Sequence, residues 1–106
     1  MISDERLQTA LTYLAESDSP AAEAKVEVER MKYKQDSVEK AIYLRETGNI
    51  EERKAKARGS QAYHDATEDY FDALLHYENY RNKRKTEEIV VETWRSLNAN
   101  RRSGQI

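Results

Sequence analysis

The chain has 106 residues, 38% hydrophobic and 36% charged, with no Cys, one Pro and three Gly. That length allows a single domain spanning 1–106. The low apolar fraction excludes a thick core, and the missing Cys excludes disulfides and thiolate metal sites. Net charge is −2 but is unevenly spread: residues 1–80 hold 11 Lys/Arg against 17 Asp/Glu, and residues 81–106 hold 7 against 3. The basic C-terminal end calls for an acidic partner, either nucleic acid or protein.

The first predicted element is a helix over about 4–16, where Leu7, Ala10, Leu11 and Leu14 form one stripe. It is too short to stand alone. Ser17-Asp18-Ser19-Pro20 reads as a helix start, with Ser19 as cap and Pro20 at the first helical position. The second helix then covers 20–47. Its residues Ala24, Val28, Met31, Gln35, Val38 and Ile42 are spaced four and three apart, a coiled-coil seam with Gln35 as a polar, register-setting member.

Gly48 is expected to end that helix in a left-handed conformation. Asn49 and Glu52 form a capping box for a third helix over 50–100. So short a connection predicts a long antiparallel helical hairpin. The third helix carries Ala62, Ala66, Tyr70, Ala73, Tyr77, Tyr80, Arg84, Val91, Trp94 and Asn98 on its stripe, widened by Tyr63, Phe71 and Leu74. Gly59 is a soft spot, and residues 101–106 are expected to fray.

Length then becomes an argument. At 1.5 Å per residue the second helix spans about 42 Å and the third about 75 Å. The hairpin partner is used up near Tyr77. Ile89, Val90, Val91, Trp94 and Leu97 lie beyond it and cannot stay in water as one patch. Either the chain bends near 81–85 and folds back, or it packs on other copies. The N-terminal helix covers only three turns of it, so the reading favours a homo-oligomer with those five residues at the interface.

No apolar run approaches the length of a bilayer crossing. The N-terminus, MISDERLQ, is acidic and lacks the apolar segment of a secretory leader, so the chain reads as cytoplasmic.

Catalytic chemistry finds little to work with. His64 and His76 are twelve residues apart, so on one helix they lie about 18 Å apart and about 120° around the axis, too far to share a metal. The Glu-x-x-His spacing of di-iron bundles is absent. Asp65, Glu68, Asp69 and Asp72 read as a solvated face, or one paired with cations of the second helix. With no phosphate loop and no nucleophile motif, an enzyme, a metal and a cofactor are all disfavoured.

The basic groups are more informative. Arg81, Lys83, Arg84 and Lys85 fall within five residues, followed by Arg95, Arg101 and Arg102 near Trp94. At the hairpin tip Lys54, Lys56 and Arg58 are expected opposite Lys40 and Arg45, close to Tyr43. Arg30, Lys32, Tyr33 and Lys34 form a third group. Cations interleaved with flat rings suit a single-stranded nucleic acid, which needs charge for phosphates and faces for bases. A coiled-coil adaptor, an assembly chaperone or a host-protein inhibitor fits the same helices without nucleic acid.

Between Lys25 and Arg102 the layout resembles a family. A charged helix ends in Ala41-Ile42-Tyr43-Leu44 before a glycine turn. The chain restarts with Ser60 and Tyr63, continues through Leu74 and Tyr77, and closes with Ile89-Val90-Val91, Arg95 and Arg101. This resembles the UvsY-like recombination mediators of T-even phages, although the chain is shorter. The resemblance implies a phage-encoded recombination accessory protein of the host cytoplasm. It would bind single-stranded DNA as a ring-like oligomer and help load a recombinase onto strands coated by single-strand-binding protein. It assigns DNA contact to the hairpin-tip cations and to Arg81, Lys83, Arg84 and Lys85.

Overall fold

A computed structural model describes residues 1–104. Among them the chain is all-helical, without a strand: α1 is Asp4–Arg45, α2 is Ile50–Arg58 and α3 is Gln61–Gly104.

The start of α1 is capped by Ser3, whose Oγ accepts from the Arg6 amide at 3.0 Å. Asp4 and Glu5 in the first turn suit the positive end of the helix dipole. From there α1 continues through Pro20 for 42 residues. The expected pair of helices, 4–16 and 20–47, is therefore one helix.

The reason lies in phase. Leu7, Ala10, Leu14, Ser17, Ala21 and Ala24 recur at alternating three- and four-residue steps, and all are buried or half-buried. The seam crosses Pro20 without a slip and runs on through Val28, Met31, Gln35, Val38 and Ile42, again buried or half-buried. A break at Ser17 would throw the two halves out of register.

The proline is not free of cost. An interior Pro removes one helical hydrogen bond and crowds the preceding turn, roughly 3 kcal/mol. The turn before it is braced from α3. Arg84 Nη1 donates to the Leu14 carbonyl at 2.8 Å and to Ser17 Oγ at 2.6 Å. Its Nη2 lies 3.5 Å from the Asp18 carboxylate.

The turn after α1 forms as expected. Gly48 has φ +116°, a conformation that side chains resist, and an added Cβ there would lie 2.6 Å from Glu52 Oε2. Asn49 caps α2: its side-chain oxygen accepts from the Glu52 amide at 2.9 Å, and its Nδ2 donates to Glu52 Oε1 at 2.9 Å.

The expected helix over 50–100 is instead two helices. Gly59 ends α2, its amide donating to the Ala55 carbonyl at 2.9 Å. Ser60 opens α3, its Oγ accepting from the Tyr63 amide at 3.2 Å and donating to the Ala57 carbonyl at 2.7 Å. Glycine weakens the helix and serine supplies the cap, so the break falls where both meet. Beyond it α3 is uninterrupted through Arg81 and Lys85 to Gly104. Residues 101–104 of the tail expected to fray form the last turn of α3, and its last two positions lie outside the described residues.

The chain divides into two compact units. Unit 1 comprises Met1–Ala22 and Glu78–Ile106. In it, Ala10, Ser17 and Glu87 are buried. Arg6 grips Glu87 with two hydrogen bonds, at 2.6 and 2.9 Å. Unit 2 is Glu23–Tyr77. Its buried residues are Ala24, Gln35, Ile42, Ala57 and Ala66. Gln35 Nε2 donates to Thr67 Oγ1 at 2.7 Å, and Thr67 Oγ1 donates to the Tyr63 carbonyl at 2.8 Å.

Unit 1 overturns the length argument. The C-terminal part of α3 does not outrun its cover, because the first turns of α1 are long enough to meet it. Val90, Val91 and Trp94 are half-buried within the unit, and only Ile89 and Leu97 of the five stay exposed, at 58% and 40%. The Trp94 indole N–H points to Asp4 Oδ1 at 3.4 Å.

Replacing Pro20 with Ala is expected to stabilise the protein by about 2–3 kcal/mol, since the host helix already exists on both sides. Urea unfolding followed by circular dichroism measures this; no gain would show that the turn before Pro20 is not helical in solution.

Candidate nucleic-acid interface

The nine cations expected to contact nucleic acid fall into both units, and their surroundings separate them. In unit 1, Arg84 is taken up by Leu14, Ser17 and Asp18, with its side chain only 22% exposed. It sits on the helix seam and holds packing together. Lys83 Nζ lies 4.5 Å from the centre of the Tyr13 ring, a cation–π contact. Arg81 pairs with Glu78 one turn back, at 3.4 Å. Lys85 is exposed, and no acidic partner engages it among the described residues.

In unit 2, Arg58 is bound to Glu39 at 2.9 Å. That hydrogen bond, reinforced by the carboxylate's charge, raises the guanidinium above its ordinary value. Lys56 closes the turn after α1, donating to the Thr47 carbonyl at 2.9 Å with Glu46 at 4.0 Å. Arg53 lies over Tyr43 at 4.1 Å and donates to its carbonyl at 3.1 Å, so one face of that ring is covered. Lys32 Nζ lies 5.5 Å from the Tyr70 ring centre and donates to Gln35 Oε1, and Lys34 pairs with Asp69 at 2.9 Å.

What stays available in unit 2 is narrower than composition suggested. Lys40, Arg45 and Lys54 are exposed, and no acidic side chain engages them among the described residues. Tyr33 is 76% exposed. Arg30, Tyr33, Ser37, Lys40 and Leu44 follow each other at three- and four-residue steps on α1. They share one face, roughly 200° around the helix from the Met31–Gln35 seam. Arg30 has only a long contact to Glu27, at 4.0 Å, and its side chain is 72% exposed. This face carries cations on either side of an open ring, and Leu44 at its end is 74% exposed.

Two residues that matter were not recognised in the sequence. Glu87 is a buried seam member, and Arg6 is its partner. The signal was present: Tyr80, Arg84, Glu87, Val91, Trp94 and Asn98 keep the three-four rhythm only if Glu87 is counted. Tyr63, not Ala62, is the half-buried residue that begins that rhythm, and Phe71 points to solvent at 52% exposure. The Arg6 hydrogen bonds hold the Glu87 carboxyl below its ordinary value, against the opposing effect of burial.

Among the described residues, no group of three or more His, Cys, Asp or Glu side chains could hold a metal ion. Asp65 accepts from Gln61 and Asp69 from Lys34, so part of the acidic group is engaged within the chain. No helix is long and apolar enough to cross a membrane among those residues. No family model matches the chain, no curated protein matches it, and no solved structure matches it.

Two substitutions test these assignments. Arg84→Ala should lower stability by about 2–3 kcal/mol, because charged hydrogen bonds to Ser17 and the Leu14 carbonyl are lost; chemical denaturation measures it, and a surface phosphate contact would leave stability unchanged. Glu87 supplies a pH signature. A carboxyl held low when folded stabilises above the ordinary value, 4.5, and that contribution fades as pH falls from there through the lower folded value. Glu87→Gln should reduce the acid-side fall in melting temperature relative to the parent; an identical fall in both proteins would place the sensitivity elsewhere.

Proposed function

We propose that the chain is a non-enzymatic, single-stranded-nucleic-acid-binding protein whose contact surface is the outer face of α1 in unit 2. The observation that carries the reading is the open ring of Tyr33 between Arg30 and Lys40, with the unengaged cations Arg45 and Lys54 in the same unit. Phosphates would meet the cations, and a base would stack on Tyr33. Arg84, Arg58 and Lys56 leave the proposed set, because their heads serve the fold. We further infer that α1 and α3 form an antiparallel helical pair that presents this face.

The layout shared with UvsY-like mediators supports single-stranded DNA as the ligand. It adds a recombinase, or a single-strand-binding protein, as the protein met on that strand, in the cytoplasm of a phage host.

A second reading, a protein-binding adaptor without nucleic acid, draws on a different observation. Phe71 and Leu75 lie one turn apart on α3 of unit 2, 52% and 63% exposed. An apolar pair of that kind serves a protein contact better than a phosphate backbone.

Fluorescence anisotropy with a labelled oligonucleotide, at two salt concentrations, separates the readings. Binding should weaken with salt, with a logarithmic slope near −0.7 per phosphate neutralised. Tyr33→Ala should cost about 1–3 kcal/mol of affinity. Lys40→Glu with Lys54→Glu should shallow the salt slope while helix content is kept. Absence of binding at low salt would leave the adaptor reading.

A further inference from the structure

Two rows of side chains in unit 2 face solvent, and their patterns match. On α1, Tyr33, Ser37, Lys40 and Leu44 are spaced by four, three and four residues. On α3, His64, Glu68, Phe71 and Leu75 are spaced in the same way. Such steps keep each row within about 60° of arc on its helix. Every one of these residues is exposed, Tyr33 and Leu44 at 76% and 74%, Phe71 and Leu75 at 52% and 63%. Lys40 is the cation of the first row and Glu68 the carboxylate of the second. Neither has an ion pair among the described residues.

We propose that the α1 row of one copy of the chain docks on the α3 row of a second copy, with the two helices antiparallel. In that direction the rows coincide at every member. Leu44 meets His64, Lys40 meets Glu68, Ser37 meets Phe71 and Tyr33 meets Leu75. The unengaged cation faces the unengaged carboxylate, the tyrosine ring lies on leucine, and the small Ser37 leaves room for the Phe71 ring. Alternating steps of three and four residues on both helices suit a coiled-coil contact. A parallel arrangement fits less well. It would slide α1 to set Arg30 against Glu68, although Arg30 already has Glu27 at 4.0 Å. It would also cover Val26, 51% exposed, and leave the more exposed Leu44 in water. Because the contact joins two different surfaces, each copy keeps a free row, and the assembly grows head to tail until a ring closes. The proposal does not rest on the nucleic-acid reading, but it uses the same face of α1, so the two occupants exclude each other.

The experiment uses the full chain without nucleic acid, so its outcome is separate from that reading. Light scattering from about 10 μM to about 1 mM, a range that brackets weak association, should show a mass rising past twice that of the 12.4 kDa chain. Lys40→Glu and Glu68→Lys, both at exposed sites, should each weaken association about tenfold, because like charges then face each other. The two changes in one chain should restore it, with unchanged far-ultraviolet circular dichroism throughout. Because the chain lacks Cys, single cysteines report register. Tyr33→Cys mixed with Leu75→Cys should oxidise to a linked pair, while Tyr33→Cys alone should not. A single-chain mass throughout the range would overturn the proposal. So would single reversals that leave the mass unchanged, a double variant that stays dispersed, or preferential linkage of Tyr33→Cys to itself.

Discussion

The structure depends on phase. A chain with so little apolar material cannot bury its helices by bulk, so each of the two long helices must keep one narrow seam pointing the same way from end to end. In α1 the three-four rhythm holds from Leu7 to Ile42, and in α3 from Tyr63 to Asn98. A heptad-spaced seam maintained over that many turns favours supercoiling of partner helices. A single slip would turn every later seam residue to water. Pro20 is therefore tolerated, since the helix loses less by carrying an imperfect turn than by losing its register.

Polar members of the seam support this constraint. Gln35 with Thr67, Arg84 with Ser17, and Arg6 with Glu87 each join α1 to α3 by side-chain hydrogen bonds. Ser17, Gln35 and Glu87 are buried, and removing the partner of a buried polar group leaves that group unsatisfied, which costs more than the hydrogen bond itself contributes. They act against wrong registers. A shift of either helix would strand Glu87 or Gln35 away from its partner, so one alignment is selected from several that Ala-rich contacts would otherwise permit. The same commitment explains why the abundant cations are mostly unavailable: several are structural members of the helix contacts, and composition does not distinguish these from free ones.

Much of the fold was legible in the residues, and the misses share a cause. Helical class, the Gly48 turn, the Asn49–Glu52 cap and the Gln35 seam follow from local chemistry. The break expected at Ser17-Asp18-Ser19-Pro20 came from reading strong local signals ahead of the longer rhythm that runs through them. The opposite error occurred at Gly59-Ser60, where a long periodic stretch obscured a local stop and cap. The expectation that the C-terminal part of α3 outruns its cover followed from the first error, because a short first helix spans only three turns of it. The candidate site was less legible. Lys40, Arg45, Lys54 and Tyr33 are distinguishable from Arg58, Lys56 and Tyr43 only through partners that lie nine or more positions away, as Glu39 does from Arg58, Thr47 from Lys56 and Arg53 from Tyr43.

The shallowness of the interior has a thermal consequence. Among the described residues the buried hydrophobic ones are four alanines and one isoleucine, and no large side chain is fully buried. Unfolding therefore hydrates little new hydrocarbon, which keeps the heat-capacity increment small for a chain of this length. Its stability curve should be broad and low, changing gradually over a wide temperature span, with the enthalpy of melting carried chiefly by helix hydrogen bonds.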